Sequence, residues 1–347
     1  MQQEKETTIY DLALKLDISP ATVSRGLKDH PAISKKTKKK ILELALEMGY
    51  RSNNFARNLR EQRTYTIGAI VPRLNSHFMA SVIAGVESIA NKEGFNLIIS
   101  QSSENIKKEM ENAGTMFNNR VEGLLVSSVD FAASIENFTS FLRKNIPVIF
   151  FDRVVDMKGF TNILIDNRKA GYDATTHLIK QGCKRIVHVT GIQKTNVYLD
   201  RLQGYKQALA ENKLPFKKDH VIFANFSQEA GISAAEEIMR MKRLPDGAFV
   251  ANDNCAVSCM VTLKKAGFRI PEDIAFVGFN NDPVSVVVEP NLTTIDYRGH
   301  EMGEVVARNL VNHLNGTHSM QATNTIILNS ELIIRGSSLR VIKARPL

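Results

Sequence analysis

Residues 19–27, Ser-Pro-Ala-Thr-Val-Ser-Arg-Gly-Leu, concentrate short hydrogen-bonding side chains on what reads as a helix. Ser19 can cap it, and Pro20 suits the first helical position. Val23 and Leu27 supply one apolar edge, while Ala21, Thr22, Ser24 and Arg25 present small, polar or cationic tips. A helix of this kind buries one edge and can lay the other against the base edges of a DNA major groove. Arg25 can reach a guanine or a phosphate, and Thr22 and Ser24 can donate to either. A second constellation follows the short apolar runs of the remaining chain. His77 and Phe78 follow IGAIVP, Ser127 follows GLLV, and Asp152 and Arg153 follow PVIFF. Asn196 and Arg201 lie beyond IVHVTG, Phe226 lies in FANFS, Asn252 in FVANDN, Asn280 in VGFNND, and Tyr297 after LTTI. Carboxylates, amides and arginines satisfy the paired hydroxyls or polar ring edges of a small ligand, and aromatic faces cover its apolar side.

The elements that must hold these residues are legible from periodicity. Thr8 followed by Asp11 starts a first helix in the manner of a capping box, with Ile9, Leu12, Ala13 and Leu16 at helical spacing. Asp17-Ile18 is a tight turn into the helix of residues 19–27. Ser34 caps a third helix whose Ile41, Leu44, Ala45 and Met48 form a stripe that Gly49 closes. Thr37 and the lysines around it suit phosphate. Two short helices joined by a tight turn, then a longer brace, is the helix-turn-helix plan. From Thr66 the period changes. TIGAIV, FNLIIS, EGLLVS and PVIFF form one series of buried strands, and RIVHVT, HVIFA, GAFVA and IAFVGF a second, with helical segments between. That alternation predicts parallel sheets covered on both faces, in two lobes, with ligands at the carboxyl ends of the strands. LTTIDY and a helix at 298–315 are expected to return to the first lobe, and TIILNSELIIR to complete the second.

Composition limits what such a chain does. It has 347 residues, 43% hydrophobic and 23% charged, enough for two or three domains with real cores. The net charge of +9 is concentrated. Residues 18–63 hold eleven Lys/Arg against four acids, so a strongly basic head precedes a nearly neutral body. That distribution points to a polyanion. Three cysteines without a C-x-x-C pair suit a reducing compartment, and Cys255 and Cys259 read as small buried apolar residues rather than metal ligands. The acid-containing amino terminus is not a signal peptide and no apolar run is long enough to span a membrane, so a cytoplasmic location is expected. No nucleotide-binding, nucleophile-elbow or zinc-protease motif occurs: HEMGE at 300 lacks the second histidine. Neither an enzyme nor a cofactor is expected.

The run TTIYDLALKLDISPATVSRGLKDHPAISKKTKKKILELALEMGYRSNNFARNLR resembles the head of the lactose-repressor family of bacterial regulators. I-Y-D-L-A, S-x-x-T-V-S-R, S-x-x-T-x-x-x-I and G-Y-x-x-N-x-x-A-R-x-L carry the resemblance, which continues to about residue 338. It implies an all-α helix-turn-helix head, residues 1–52, and a hinge helix and linker, 53–63. An α/β two-lobed, periplasmic-binding-protein-like body follows at 64–340. Lobe one is expected at 64–164 and 294–322, and lobe two at 165–293 and 323–340. The resemblance places Thr8, Ser19, Ala21, Thr22, Ser24, Arg25, Ser34 and Thr37 on DNA. It also implies that a hinge starting at Asn53 enters the minor groove, with Leu59 as the wedge and Ala56 allowing close approach. The eleven candidate ligand residues match family ligand positions or lie within one residue of them, although Asn280 replaces an Asp common among relatives.

The expected function is therefore a DNA-binding regulator, a repressor more often than an activator. It would bind pseudo-palindromic double-stranded operator DNA as a homodimer and respond to a small effector, a sugar or sugar derivative. A purine or other metabolite is the alternative effector. A solute-binding protein would explain the body but not the basic head.

Overall fold

The computed structural model describes residues 7–50, 63–130, 135–155, 159–317, 320 and 325–340. Two compact units divide the chain, Met1–Thr64 and Tyr65–Leu347. The first contains α1 (Ile9–Leu16), α2 (Pro20–Leu27) and α3 (Lys35–Glu47). Each starts on a side-chain cap. The Thr8 hydroxyl accepts from the Asp11 N–H while the Asp11 carboxylate accepts from the Thr8 N–H, a complete capping box. Ser19 and Ser34 accept from the backbone N–H of Thr22 and Thr37, each at 3.1 Å. Leu12, Val23 and Ile41 are fully buried at the centre of the three helices. Val23 and Leu27 form the expected apolar edge of α2, Val23 within this core and Leu27 packed half-buried against it. Gly26 is buried as well, where a Cβ would stand 2.4 Å from Ile41 Cδ1. The absence of a side chain lets α2 sit close on α3.

The second unit is built on two six-stranded sheets. The first has the order β11-β5-β4-β3-β1-β2 and the second β12-β10-β9-β8-β6-β7. β1 (Thr66–Val71), β2 (Asn96–Gln101), β3 (Gly123–Val126), β4 (Val148–Phe151), β5 (Thr161–Ile165) and β11 (Thr325–Leu328) form the first. β6 (Ile186–Thr190), β7 (Val221–Phe223), β8 (Gly247–Val250), β9 (Ala275–Asn280), β10 (Thr293–Asp296) and β12 (Glu331–Ile333) form the second. Every pairing is parallel except β10 with β12. The helices are α4 (His77–Lys92), α5 (Ile106–Asn118), α6 (Ile135–Arg143), α7 (Asn167–Lys180), α8 (Asn196–Glu211), α9 (Gln228–Arg240), α10 (Asp253–Lys265), α11 (Val284–Val287) and α12 (Gly299–Leu314). Strands β3, β4, β6 and β8 are buried along their whole length. A parallel strand covered on both faces has no polar side, which is why these segments read as unbroken apolar runs.

The two lobes exchange chain differently from the expected boundaries at 294 and 323. LTTIDY supplies β10, which pairs with β9 from Thr293↔Val277 to Asp296↔Asn280 in the second sheet. The short connection from β9 holds only the one-turn α11, and it returns the chain beside the strand it left. The crossing to lobe one comes after β10, and α12 then packs on α4 as expected. TIILNSELIIR divides rather than completing lobe two: β11 pairs with β5 in the first sheet, and only β12 joins the second. β5 itself is an addition to the expected strands. Asn162 breaks its apolar run; its amide nitrogen donates to the Val155 carbonyl at 3.0 Å, while its Oδ1 is buried without a hydrogen-bond partner among the described residues.

Glycine sets how closely the covering helices approach. In lobe one, a Cβ at Gly85 of α4 would lie 2.2 Å from the His300 carbonyl, and one at Gly303 of α12 would lie 2.0 Å from the Val82 carbonyl. In lobe two, Gly171 of α7 and Gly204 of α8 meet the partner helix's backbone at 2.4 and 2.1 Å in the same sense. Among the described residues no helix is long and apolar enough to cross a membrane.

Candidate ligand cleft and nucleic-acid interface

On the head, Ala21 and Arg25 are exposed and Thr22 and Ser24 half-buried, while Val23 between them is fully buried. The short polar tips of α2 therefore stand on the side away from the core. Thr8, Ser19 and Ser34 serve as helix caps, and the Thr22 and Thr37 hydroxyls lie 2.8 Å from those of Ser19 and Ser34. These Ser–Thr pairs sit on exposed first turns, where backbone N–H groups and the helix dipole favour an anion. Lys38 is tied to the loop before α3, donating to the carboxylate of Asp29 at 2.6 Å and to its carbonyl at 3.0 Å. Asn53, Ala56 and Leu59, and with them the expected hinge, lie outside the described residues.

In the body, a cavity of about 430 Å³ lies between the lobes. It brings together eight of the eleven expected residues: Phe78, Asp152, Arg153, Arg201, Phe226, Asn252, Asn280 and Tyr297. Their positions follow from the strand ends. Asp152 follows β4, Phe226 follows β7 and Asn280 ends β9. All three hold left-handed backbone, with φ of 59°, 62° and 114°. Such conformations are costly for residues with a Cβ, and their clustering at one cavity is a mark of a functional site. Asn252 caps α10, its Oδ1 accepting from the Cys255 N–H at 3.1 Å. Its amide nitrogen remains as a donor on the wall.

Asp152 is the polar centre of the lobe-one side. The Tyr297 phenol donates to its Oδ1 at 2.7 Å, and the Ser127 hydroxyl to its Oδ2 at 3.4 Å. Burial pushes the Asp152 carboxyl up, against the opposing pull of Arg153, the Tyr297 hydrogen bond and Arg201. Burial likewise pushes the Tyr297 phenol well above its ordinary range, and the neighbouring Asp152 charge adds to it. The Tyr297 ring stacks on Phe78 at 4.1 Å between centroids. Arg153 grips Glu104 with two N–H groups at 2.6 and 3.1 Å, and a third contact reaches the Tyr198 hydroxyl at 3.1 Å. Burial would raise Glu104, but Arg153 and Arg73 outweigh it and hold the carboxyl below its usual range.

Three expected residues lie elsewhere. Ser127 is fully buried and spent on Asp152 rather than on the wall. Asn196 is an interlobe strap: its Nδ2 donates to the Asp152 carbonyl at 3.2 Å and its Oδ1 accepts from the Val154 N–H at 3.0 Å, which occupies both ends of the amide. His77 lies on the far side of the Phe78–Tyr297 stack, lining a neighbouring cavity of about 420 Å³, with Nδ1 3.5 Å from Asp282 Oδ1. The cavity also has residues that strand-end reasoning did not select, among them Arg73, Glu104, Tyr198 and Gln228. Glu104 follows β2 as the chosen residues follow other strands, and Tyr198 precedes Arg201 by three positions on α8, one helical face.

Beneath Asn252, Asp253 is fully buried and accepts from the Thr294 hydroxyl at 2.7 Å and the Asp282 N–H at 2.8 Å. Burial pushes its carboxyl up to about 7. Gly278 makes room for it, since a Cβ there would lie 2.1 Å from Asp253 Oδ1. Cys255 and Cys259 are fully buried on the apolar face of α10. Among the described residues no group of His, Cys, Asp or Glu is arranged to hold a metal ion.

Comparison with known proteins shows the same two-part architecture. Residues 8–53 match the family described as bacterial regulatory proteins, lacI family, and residues 175–338 match a periplasmic binding protein-like domain. Catabolite control protein A of Priestia megaterium is 30% identical over 89% of this chain and 92% of that protein. The HTH-type transcriptional repressor CytR of Escherichia coli (strain K12) is 29% identical over 97% of this chain and 98% of that protein. Among solved structures, the lac repressor dimer bound to operator and the anti-inducer ONPF superposes with a TM-score of 0.87. It is 23% identical and covers 97% of this chain and 100% of that one, a likeness of fold. The transcriptional regulator CelR–cellobiose complex has a TM-score of 0.72 at 25% identity, covering 96% and 100%.

Proposed function

The chain belongs to the lacI family of bacterial regulatory proteins, and from that premise we propose that its interlobe cleft is the effector site through which operator binding is controlled. The protein is a DNA-binding transcriptional regulator with a helix-turn-helix head and a periplasmic-binding-like body, acting as a homodimer on operator DNA. The observation that carries the reading of the cleft is its two-sided wall. Asp152 and Arg153 from lobe one face Arg201, Asn252 and Asn280 from lobe two around one cavity. A molecule that bridges those walls changes the relation of the lobes, and DNA must alter its affinity reciprocally.

In this reading Ala21, Thr22, Ser24 and Arg25 meet base edges and phosphate, and the Ser19–Thr22 and Ser34–Thr37 first turns receive phosphates. Asn53, Ala56 and Leu59 supply the minor-groove hinge. The effector carries hydroxyls that the amides and arginines of the cleft can hold, which suits a sugar or sugar derivative. The cleft is a binding site rather than a reaction centre. A gel shift tests the whole. Full-length protein should retard a palindromic duplex, Arg25→Ala should weaken that retardation at least tenfold without lowering thermal stability, and a metabolite that raises the melting temperature should change the shift. A metabolite that binds tightly yet leaves the shift unaltered at saturation would overturn the sensing role.

A further inference from the structure

Glu104 stands between two guanidiniums that also reach the other lobe. Its Oε2 accepts from Arg153 Nη1 at 2.6 Å, and its Oε1 accepts from Arg153 Nη2 at 3.1 Å and from Arg73 Nε at 3.2 Å. Glu104, Arg153 and Arg73 follow β2, β4 and β1, all strands of the first sheet. Both arginines then cross the cleft. Arg153 Nη2 donates to the Tyr198 hydroxyl at 3.1 Å, and Arg73 Nη1 to the Asn225 carbonyl at 3.4 Å. Tyr198 lies on α8 and Asn225 follows β7, both in lobe two.

The backbone supports this arrangement. Ser103 and Glu104 hold left-handed backbone in succession, with φ of 54° and 58°. That conformation is costly for residues with a Cβ and persists where the surroundings fix it. Here they do. The Ser102 N–H donates to the Val71 carbonyl at 2.8 Å and the Leu74 N–H to Gln101 Oε1 at 2.9 Å, so the turn that presents Glu104 is tied on either side of Arg73. Asn196 does the same for the other arginine, holding the Asp152 carbonyl and the Val154 N–H on either side of Arg153. Asp152 does not serve Arg153 in place of Glu104, because its oxygens take the Tyr297 and Ser127 hydroxyls. Glu104, Arg153, Arg73, Tyr198 and Asn225 all line both the main cavity and a second one of about 360 Å³, so the group forms the wall between them.

We propose that Glu104 is a positioning residue for lobe closure: its one carboxylate holds two arginines of lobe one in line with their acceptors on lobe two. Charge-assisted hydrogen bonds are short and directional, and a guanidinium whose fork is already held loses little freedom when it docks. Without the carboxylate, two like charges share one corner of the cleft and neither is aimed. The latch goes beyond the reading of the cleft as an effector site, since it acts on the lobes themselves.

The test is amide hydrogen exchange of the full-length protein, read at Val154, whose N–H donates across the cleft to Asn196 Oδ1. In Glu104→Gln that amide should exchange about tenfold faster, the factor that corresponds to about 1.4 kcal/mol of easier opening. The amides of β3 and β8, inside the two sheets, should keep their wild-type rates. Tyr198→Phe removes the hydroxyl that Arg153 reaches and should also speed Val154, by a smaller factor because Arg73 still bridges. The double variant should exchange no faster than Glu104→Gln alone, because the carboxylate acts through that bond. Arg73→Gln, at a half-exposed side chain, carries the test if Glu104→Gln does not fold. It removes the second bridge, so faster exchange at Val154 supports the latch and an unchanged rate refutes it. Unaltered Val154 exchange in a folded Glu104→Gln overturns the proposal. Equal acceleration of the β3 amides overturns it too, since Glu104 would then merely support lobe one. Effects of Glu104→Gln and Tyr198→Phe that multiply in the double variant do the same. The measurement uses no metabolite, so its outcome is independent of the sensing role that the gel shift tests.

Discussion

The Tyr297 phenol donates a 2.7 Å hydrogen bond to Asp152 Oδ1, tying the residue after β10 to the residue after β4. One partner follows a strand of the second sheet and the other a strand of the first, so a single bond spans the point where the chain changes lobes. The stack on Phe78, at the start of α4, fixes the ring that makes it.

Replacing Tyr297 with Phe keeps that stack and removes the donor. Asp152 then retains only the weaker Ser127 contact and the charge of its arginine neighbours. Leaving a buried acceptor underused costs about 1–3 kcal/mol. Urea unfolding at neutral pH should show a loss in that range, together with weaker effector binding. An unchanged midpoint would mean that the bond is dispensable.

Asp253 makes stability depend on pH in the sense opposite to a salt-bridged aspartate. Its carboxyl sits at about 7 in the folded chain, raised by burial and by Asp282 against the Thr294 hydrogen bond. In the unfolded chain an aspartate titrates near about 4. The folded state therefore binds the proton more tightly, and the resulting stability is complete below the unfolded value and is lost as pH rises through about 7. Asp253→Asn, which cannot ionise, should flatten that decline even though it surrenders one acceptor. A variant whose urea midpoint falls across this window as steeply as the wild type's would exclude Asp253 as the source.

Gly204→Ala should transmit damage from the back of α8 to the cleft. The added methyl would stand 2.1 Å from the Arg168 carbonyl and 2.6 Å from the Tyr172 N–H, both backbone, so α7 and α8 must separate. Alanine improves helix propensity by about 1 kcal/mol, but overpacking of this kind costs about 1–3 kcal/mol. Because α8 also carries Tyr198 and Arg201, ligand affinity should fall along with the melting temperature. A stabilised protein with undiminished binding would show that the helix pair has slack.

Much of the architecture is written locally. The caps at Thr8, Ser19 and Ser34, and the fully buried strands β3, β4, β6 and β8, announce themselves because each depends on neighbours within a few residues. The pairing of β11 does not, since which sheet this short strand joins depends on partners such as Ile163, far away in the chain, and nothing local in LTTIDY marks that β10 stays beside β9 instead of crossing to lobe one. The cleft divides in the same way. Residues just beyond strand ends were accessible to reasoning from pattern, and eight of them share one cavity. Ser127 and Asn196 have the right chemistry and position, but their side chains are spent on Asp152 and on the backbone around it. Glu104, just beyond β2, and Tyr198, one helical face from Arg201, carried the same kind of signal, but their joint role shows only when Arg153 is seen reaching both.

The division of β11 and β12 between the two sheets bears on biosynthesis. A ribosome that has made the chain only as far as α12 has supplied neither sheet with its last edge strand, and two residues separate the strand owed to one from the strand owed to the other. Vectorial synthesis commonly finishes one domain before the next emerges, but here both halves of the body wait for the same late segment and reach completion together.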